Sequence, residues 1–243
     1  MDKRRLEYLQ RMGIDVWVPR ETGAEAAVAS QPAAEAPATA APSPAASAER
    51  DEAAPDWDWP ALEAAIRACT ACRLHESRTQ GVVGVGDHAA RLMVIGEAPG
   101  AEEDRRGEPF VGRAGQLLDE MLRAIGLSRR DGGVYITNIL KSRPPDNRDP
   151  LADEVAACEP YLRRQLQLIQ PQVILAVGRV AAQNLLKKEQ PLGKLRGRWH
   201  FYGPDETPVW VTYHPAYLLR SPGDKAKAWQ DLKQVRNRLA SVS

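Results

Sequence analysis

Cys69 and Cys72 stand in "ACTACRLHES" as a CxxC pair, in a chain whose one other cysteine is Cys158. Three thiols, an odd number, speak against a disulfide framework and for metal or redox chemistry in a reducing compartment. Glu97 lies in "GEAPGAEEDRRGEPFVGRAGQLL" (96–118), where five glycines and two prolines make a loop whose backbone can approach a ligand closely. The loop delivers Phe110 just ahead of a helix start near Gly112, a position that favours anions. It lacks both the GxGxxG spacing and the GK[ST] ending of nucleotide loops. Asn138 closes an apolar run, and its amide both donates and accepts, as reading the edge of a base requires. His214, pinned by Pro215, follows another such run, and an imidazole there can hydrogen-bond a leaving group in either protonation state. Each of these also has a plainer reading: Phe110 as a core aromatic, Asn138 as a turn cap, His214 as a satisfied structural group.

The elements that must carry these residues are legible as alternating periods. Short continuous apolar runs read as strands buried on both faces: "RLMVIG" (91–96), "VYITNIL" (134–140), "VILAVG" (173–178) and "PVWVTY" (208–213). Helical spacing occupies about 59–70, 113–125, 151–169, 179–187 and 224–239. The alternation predicts a three-layer α/β/α domain around a mostly parallel four-stranded sheet. In open sheets of this kind ligands sit beyond the carboxyl ends of the strands. Glu97, Asn138 and His214 each follow or end a strand, so they are expected to converge on one rim.

Residues 57–243 are read as the globular domain, long enough to bury a core. Ahead of it, residues 21–56 are nearly all Ala, Pro, Glu and Ser, a composition that predicts a disordered tether spanning on the order of 35 Å as a flexible coil. Residues 1–20 contain an amphipathic stretch, "RRLEYLQRMGIDVWVPR", of the kind that docks into a groove. No run is long and apolar enough for a transmembrane helix and no apolar stretch follows the first charges to make a signal peptide, so a cytoplasmic protein without a membrane partner is expected, most simply a monomer. The net charge of +1 hides a division. Residues 1–57 hold six Lys/Arg against ten Asp/Glu, leaving 27 against 22 for the rest. Two runs, "KSRPPDNR" (141–148) and "KLRGR" (194–198), concentrate the excess where a phosphate backbone could be tracked; ordinary solvated loops are the alternative.

The four stretches "GEAPGAEEDRRGEPFVGRAGQLL", "VYITNILKSRPPDNRDP", "QPQVILAVGRVAAQNLL" and "VTYHPAYLLR" resemble the family 4 uracil-DNA glycosylases, the iron–sulfur branch of that superfamily, in the family's order and spacing from about Ala68 to Leu239. The resemblance implies that Phe110 stacks on a flipped uracil and that Asn138 hydrogen-bonds its edge. It further implies that His214 holds O2 as charge develops there, and that Glu97 positions the attacking water or stabilises the sugar cation. It makes the partner uracil-containing DNA, with Arg143, Arg148, Arg196, Arg198 and Arg220 as candidate backbone contacts and Leu218, or its neighbour Leu219, as the wedge that fills the vacated stack. No lysine stands where a Schiff-base nucleophile would, and the loop after the second strand lacks the histidine of covalently trapping relatives, so hydrolysis is expected.

The same resemblance implies a [4Fe–4S] cluster held by four cysteines. Cys69, Cys72 and Cys158 match three of them, and Ser142 stands at the fourth position. Three thiolates can retain a cluster whose fourth iron is bound by serine oxygen, water or nothing. A Cys3His zinc site completed by His75, and thiols that merely pack, stay open beside it. The first segment of the chain also resembles the N-terminal peptide of the psi subunit of the bacterial DNA polymerase III clamp loader, which implies a replication-machinery protein as its partner. A non-catalytic replisome adaptor is therefore the rival function, and a nucleotide hydrolase of another kind is disfavoured by the missing phosphate-loop lysine.

Overall fold

The computed structural model describes residues 55–241. The expected docking peptide of residues 1–20 and nearly all of the expected tether of residues 21–56 lie outside them. The first helix, α1 (Trp59–Ala68), starts where Asp58 accepts a hydrogen bond from the Ala61 N–H at 3.0 Å, with proline in the first turn, and it buries Leu62 and Ile66. Such a cap satisfies one of the donors that a helix start leaves unpaired. Cys69 ends α1, and Cys72 begins a short 3-10 turn, Arg73–Glu76.

Six strands form one sheet: β1 (Val85–Gly86), β2 (Leu92–Gly96), β3 (Val134–Asn138), β4 (Val173–Val177), β5 (His200–Tyr202) and β6 (Thr207–Thr212), in the order β1-β3-β2-β4-β6-β5. The β3-β2-β4-β6 core is parallel, as the four apolar runs predict. The sheet is larger than the expected four strands because β1 and β5 add antiparallel edges. At two and three residues, partly exposed, those edges carry no readable alternation.

Alternate residues of each strand face opposite layers. Leu92, Val94, Val173, Leu175 and Val177 pack with Leu118 and Leu122 of α3 (Arg113–Arg123) and with Leu232 and Val235 of α8 (Lys225–Ser241). Met93, Ile95, Ile174 and Ala176 pack against α4 (Ala152–Ile169) and α5 (Arg179–Leu186). This is the α/β/α sandwich of the sequence reading. Three short helices lack a sequence signal of their own: α2 (Ala101–Arg106), α6 (Leu192–Leu195) and α7 (Pro215–Arg220). Among the described residues no helix is long and apolar enough to cross a membrane.

Candidate active site

The carboxyl ends of three parallel strands bring the expected residues to one edge. Gly96 and Asn138 are the last pair in register between β2 and β3. Glu97 follows immediately, and His214 caps α7 just beyond β6. A Cβ on Gly96 would overlap both the Asn138 Oδ1 and the Phe110 ring, so those two groups close over the same α-carbon. The Phe110 ring lies 5.6 Å from that of His214. A cavity of about 440 Å3 is lined by Phe110 with Arg106, Gln116, Asp119 and Arg129, and not by Glu97, Asn138 or His214. Gly178, after β4, packs directly against His214.

Asn138 Oδ1 is buried without a hydrogen-bond partner. Leaving such an acceptor unmade costs about 1–3 kcal/mol, so its presence at the sheet edge, beside the Phe110 ring, points to a ligand that supplies a donor. His214 is held as a neutral donor. Its Nδ1 accepts the Ala216 N–H at 3.1 Å, which leaves the proton on Nε2. Burial, reinforced by Arg220, pushes its pKa down to about 4. Glu97 moves the other way: burial, with Asp149 adding like-charge repulsion against a smaller opposing effect of Arg179, lifts its carboxyl to about 6. Asp149 and Arg179 themselves form an ion pair of 2.5 Å.

The residues that hold Phe110 escaped the sequence reading. Phe110 has φ +54°, the left-handed region that a bulky side chain rarely adopts. Arg129 donates to the Pro109 and Phe110 carbonyls at 2.9 and 3.0 Å and anchors on Asp119 at 2.7 Å. Glu103 accepts from the N–H groups of Val111 and Gly112 at 2.9 and 3.0 Å. Gly115 leaves room for the Phe110 carbonyl, into which any Cβ would collide. Arg129 sits in the polar run "LSRRDGG", and nothing local marks it as the support of a residue 19 positions earlier.

The candidate DNA contacts divide. Arg198 and Arg220 are exposed, while Arg143 is half-buried and donates to Asn147 Oδ1 at 2.9 Å. Arg148 is held by both carboxylate oxygens of Glu154 at 2.9 and 2.5 Å, and Arg196 is engaged by Asp231 at 2.6 Å while lying 4.0 Å over the Tyr213 ring. Leu218 requires correction: it is 1% exposed and packs in the core, whereas Leu219, on the other face of α7, is 36% exposed. The "KSRPPDNR" strip also loses its first member. Lys141 is buried and donates to Thr137 Oγ1, the Asn138 carbonyl and Gln165 Oε1, each at 2.7 Å.

The three cysteines gather where α1, the following turn and α4 meet. Cys72 and Cys158 border one apolar cluster with Leu74 and Leu140. Backbone N–H groups of Ala71 and Lys141 point at the sulfurs of Cys69 and Cys158, both at 3.5 Å, donors that suit ligated thiolates. Ser142 Oγ accepts from Arg78 at 2.8 Å, and the same guanidinium holds the Cys69 carbonyl. Among the described residues no three Cys, His, Asp or Glu side chains converge on a single-ion site, and His75 Nδ1 is paired with the Cys72 carbonyl at 2.7 Å, so a Cys3His zinc site has no geometric support. Three thiols with backbone donors on two of them are the donor chemistry that an iron–sulfur cluster would use.

Comparison with known proteins agrees with this geometry. Residues 83–233 match the family described as "Uracil DNA glycosylase superfamily". The type-4 uracil-DNA glycosylase of Saccharolobus solfataricus is 44% identical over 184 residues, covering 72% of this chain and 84% of that one. Those of Archaeoglobus fulgidus and Thermotoga maritima are 46% and 45% identical, covering 70% and 71% of this chain and 87% and 90% of theirs. With the strand order, the residues gathered at the sheet edge and these similarities together, the chain belongs to the uracil-DNA glycosylase superfamily, among its type-4 members.

Proposed function

We propose that this chain is a monofunctional uracil-DNA glycosylase that flips uracil out of DNA and hydrolyses its N-glycosidic bond, leaving an abasic site for base excision repair. The observation that carries this reading is the orphaned Asn138 Oδ1, buried beside Phe110 at the sheet edge. Uracil offers an N3–H next to a carbonyl, the complement of an amide whose oxygen is turned inward; cytosine has a bare N3 and supplies no donor there. A pure adaptor has no use for such an acceptor.

Extrusion of the base costs a few kcal/mol, least at a mismatch or in a single strand. Stacking on Phe110 returns about 1–3 kcal/mol, and Leu219 with Arg220, exposed at the end of α7, suits the gap in the stack and the adjacent phosphate. As the bond between N1 and C1′ breaks, its electron pair passes into the base, and negative charge grows at O2. The neutral His214 offers its Nε2–H to that oxygen. The donor is worth more to the developing anion than to the ground state, which is the condition for catalysis. Glu97, ionised above pH 6, faces the sugar as it becomes oxocarbenium-like, orients water toward C1′ and accepts its proton.

Cys69, Cys72 and Cys158 would hold an iron–sulfur cluster, with Ser142 at the fourth position. Those residues would place it where the α1 end, the loop after β3 and α4 meet, in a structural role. Arg198, exposed and without an ion pair among the described residues, is offered to backbone phosphates, with Arg143, held by Asn147, beside it as a second cation. The segment of residues 1–20 docks the enzyme, a cytoplasmic monomer, on a replication protein; a pull-down in which deleting it changes no partner would count against this. The enzymatic reading is tested by incubating the full chain with a uracil-containing oligonucleotide, followed by alkali, beside Asn138→Ala. Scission by the wild type and not the variant supports it; an intact strand with the wild type removes it.

A further inference from the structure

Away from the catalytic residues, a cavity of about 520 Å3 lies between the chain following α6 and the outer face of α8. Its wall is aromatic, cationic and amide-bearing at once. Trp199 meets Trp210 edge to face at 4.8 Å. Trp210 is 5% exposed, and its Nε1–H, buried, has no acceptor. Gln230 and Gln234, one helical turn apart on α8, are exposed along the same wall.

Charge complementarity decides what such a wall suits. The one carboxylate lining it, Asp231, is already satisfied by Arg196 at 2.6 Å and by Thr212 Oγ1 at 2.7 Å. Lys227 shares its charge with Asp224 at 2.8 Å. Arg198 is exposed and among the described residues has no partner. A surplus cation, an unmet indole N–H, an aromatic face and two amides together match one phosphate with its base.

A run of side-chain contacts links the cavity wall to the catalytic edge. Arg196 lies over Tyr213, which stacks on Tyr217 at 5.2 Å. Tyr213 precedes His214 in the chain, and Tyr217 shares α7 with Leu219 and Arg220. Alternating cations and rings of this kind track single-stranded nucleic acid.

We infer that this cavity takes an unpaired nucleotide of the substrate strand beside the flipped uracil, so that the enzyme grips single-stranded DNA at a second point. The inference rests on the glycosylase reading for the identity of the strand. Pairing in a duplex hides the face and edge that the tryptophans and glutamines would meet, so the grip belongs to single strands.

The test is fluorescence anisotropy of the full-length protein with a uracil-free oligonucleotide, single-stranded and as a duplex, across a salt series. Arg198→Glu and the double variant Gln230→Glu/Gln234→Glu alter only exposed side chains, and thermal melting verifies that they fold. Each is expected to weaken single-strand binding by roughly tenfold with a much smaller change for duplex, and Arg198→Glu to lower the salt slope by about one. Unchanged single-strand binding, or equal losses for both forms, overturns the inference. If the wild type binds single strands through Arg198 yet excises no uracil, the catalytic reading fails while the second grip stands. If excision is intact and binding ignores Arg198, the inference fails alone.

Discussion

The Asn138 amide oxygen and the Phe110 ring edge meet over the bare α-carbon of Gly96, which leaves no space for a methyl group between them. Gly96→Ala therefore displaces both groups that receive the base. Overpacking of this kind costs about 1–3 kcal/mol of stability. The loss in kcat/KM on a uracil oligonucleotide is expected to exceed tenfold, which that destabilisation cannot explain in a protein that still melts cooperatively. Full activity in a folded Gly96→Ala variant would contradict the placement of the base.

His214 and Glu97 should separate in their pH signatures. With its pKa near 4, His214 stays neutral through the working range, so it contributes no limb between pH 5 and 8. His214→Ala is expected to lower kcat by about 100- to 1,000-fold, the effect of losing one oxyanion donor, with little change in KM.

Glu97 must be ionised to act, and its carboxyl is raised. The log of kcat/KM should climb through about pH 6 and level above it, because the free-enzyme pKa governs that parameter. Asp149→Asn removes a repelling charge and should move the midpoint lower. Arg179→Ala removes the attraction and should move it higher. A profile flat from pH 5 to 8 in the wild type would remove Glu97 from the reaction.

Arg129 holds Phe110 in a backbone conformation it would not choose. Arg129→Met leaves two carbonyls without their donor, at about 1–3 kcal/mol each where buried. KM is expected to rise by roughly tenfold as the stacking ring loses its position. Arg129→Lys should restore little, because one ammonium cannot reproduce a fork that reaches two adjacent carbonyls and Asp119.

At the cysteines, Ser142→Cys supplies the thiol that the resemblance implies and removes the hydroxyl that Arg78 holds. Iron and acid-labile sulfide per chain are expected to rise, and visible absorption to survive chelator longer than in the wild type. Equal iron content and equal bleaching in the two proteins would mean that position 142 does not face the cluster.

Much of this architecture is written locally. Four apolar runs without alternation announce buried parallel strands, and the polar residues at their ends announce the reactive rim, because side-chain period and turn chemistry are short-range properties. What the chain could not disclose by itself is which distant groups satisfy one another. Arg148 and Arg196 look like free cations until Glu154 and Asp231 close on them, and Lys141 sits in a basic run yet turns inward to Thr137 and Gln165. Leu218 and Leu219 are equivalent in sequence and opposite in fate, since about 100° of helical turn separates them and only the packed neighbours decide which one points at the core. Residue types and strand ends were thus determined by the sequence. Partners, burial and the proton's seat on His214 were decided by the tertiary structure, because each depends on atoms contributed by another part of the fold.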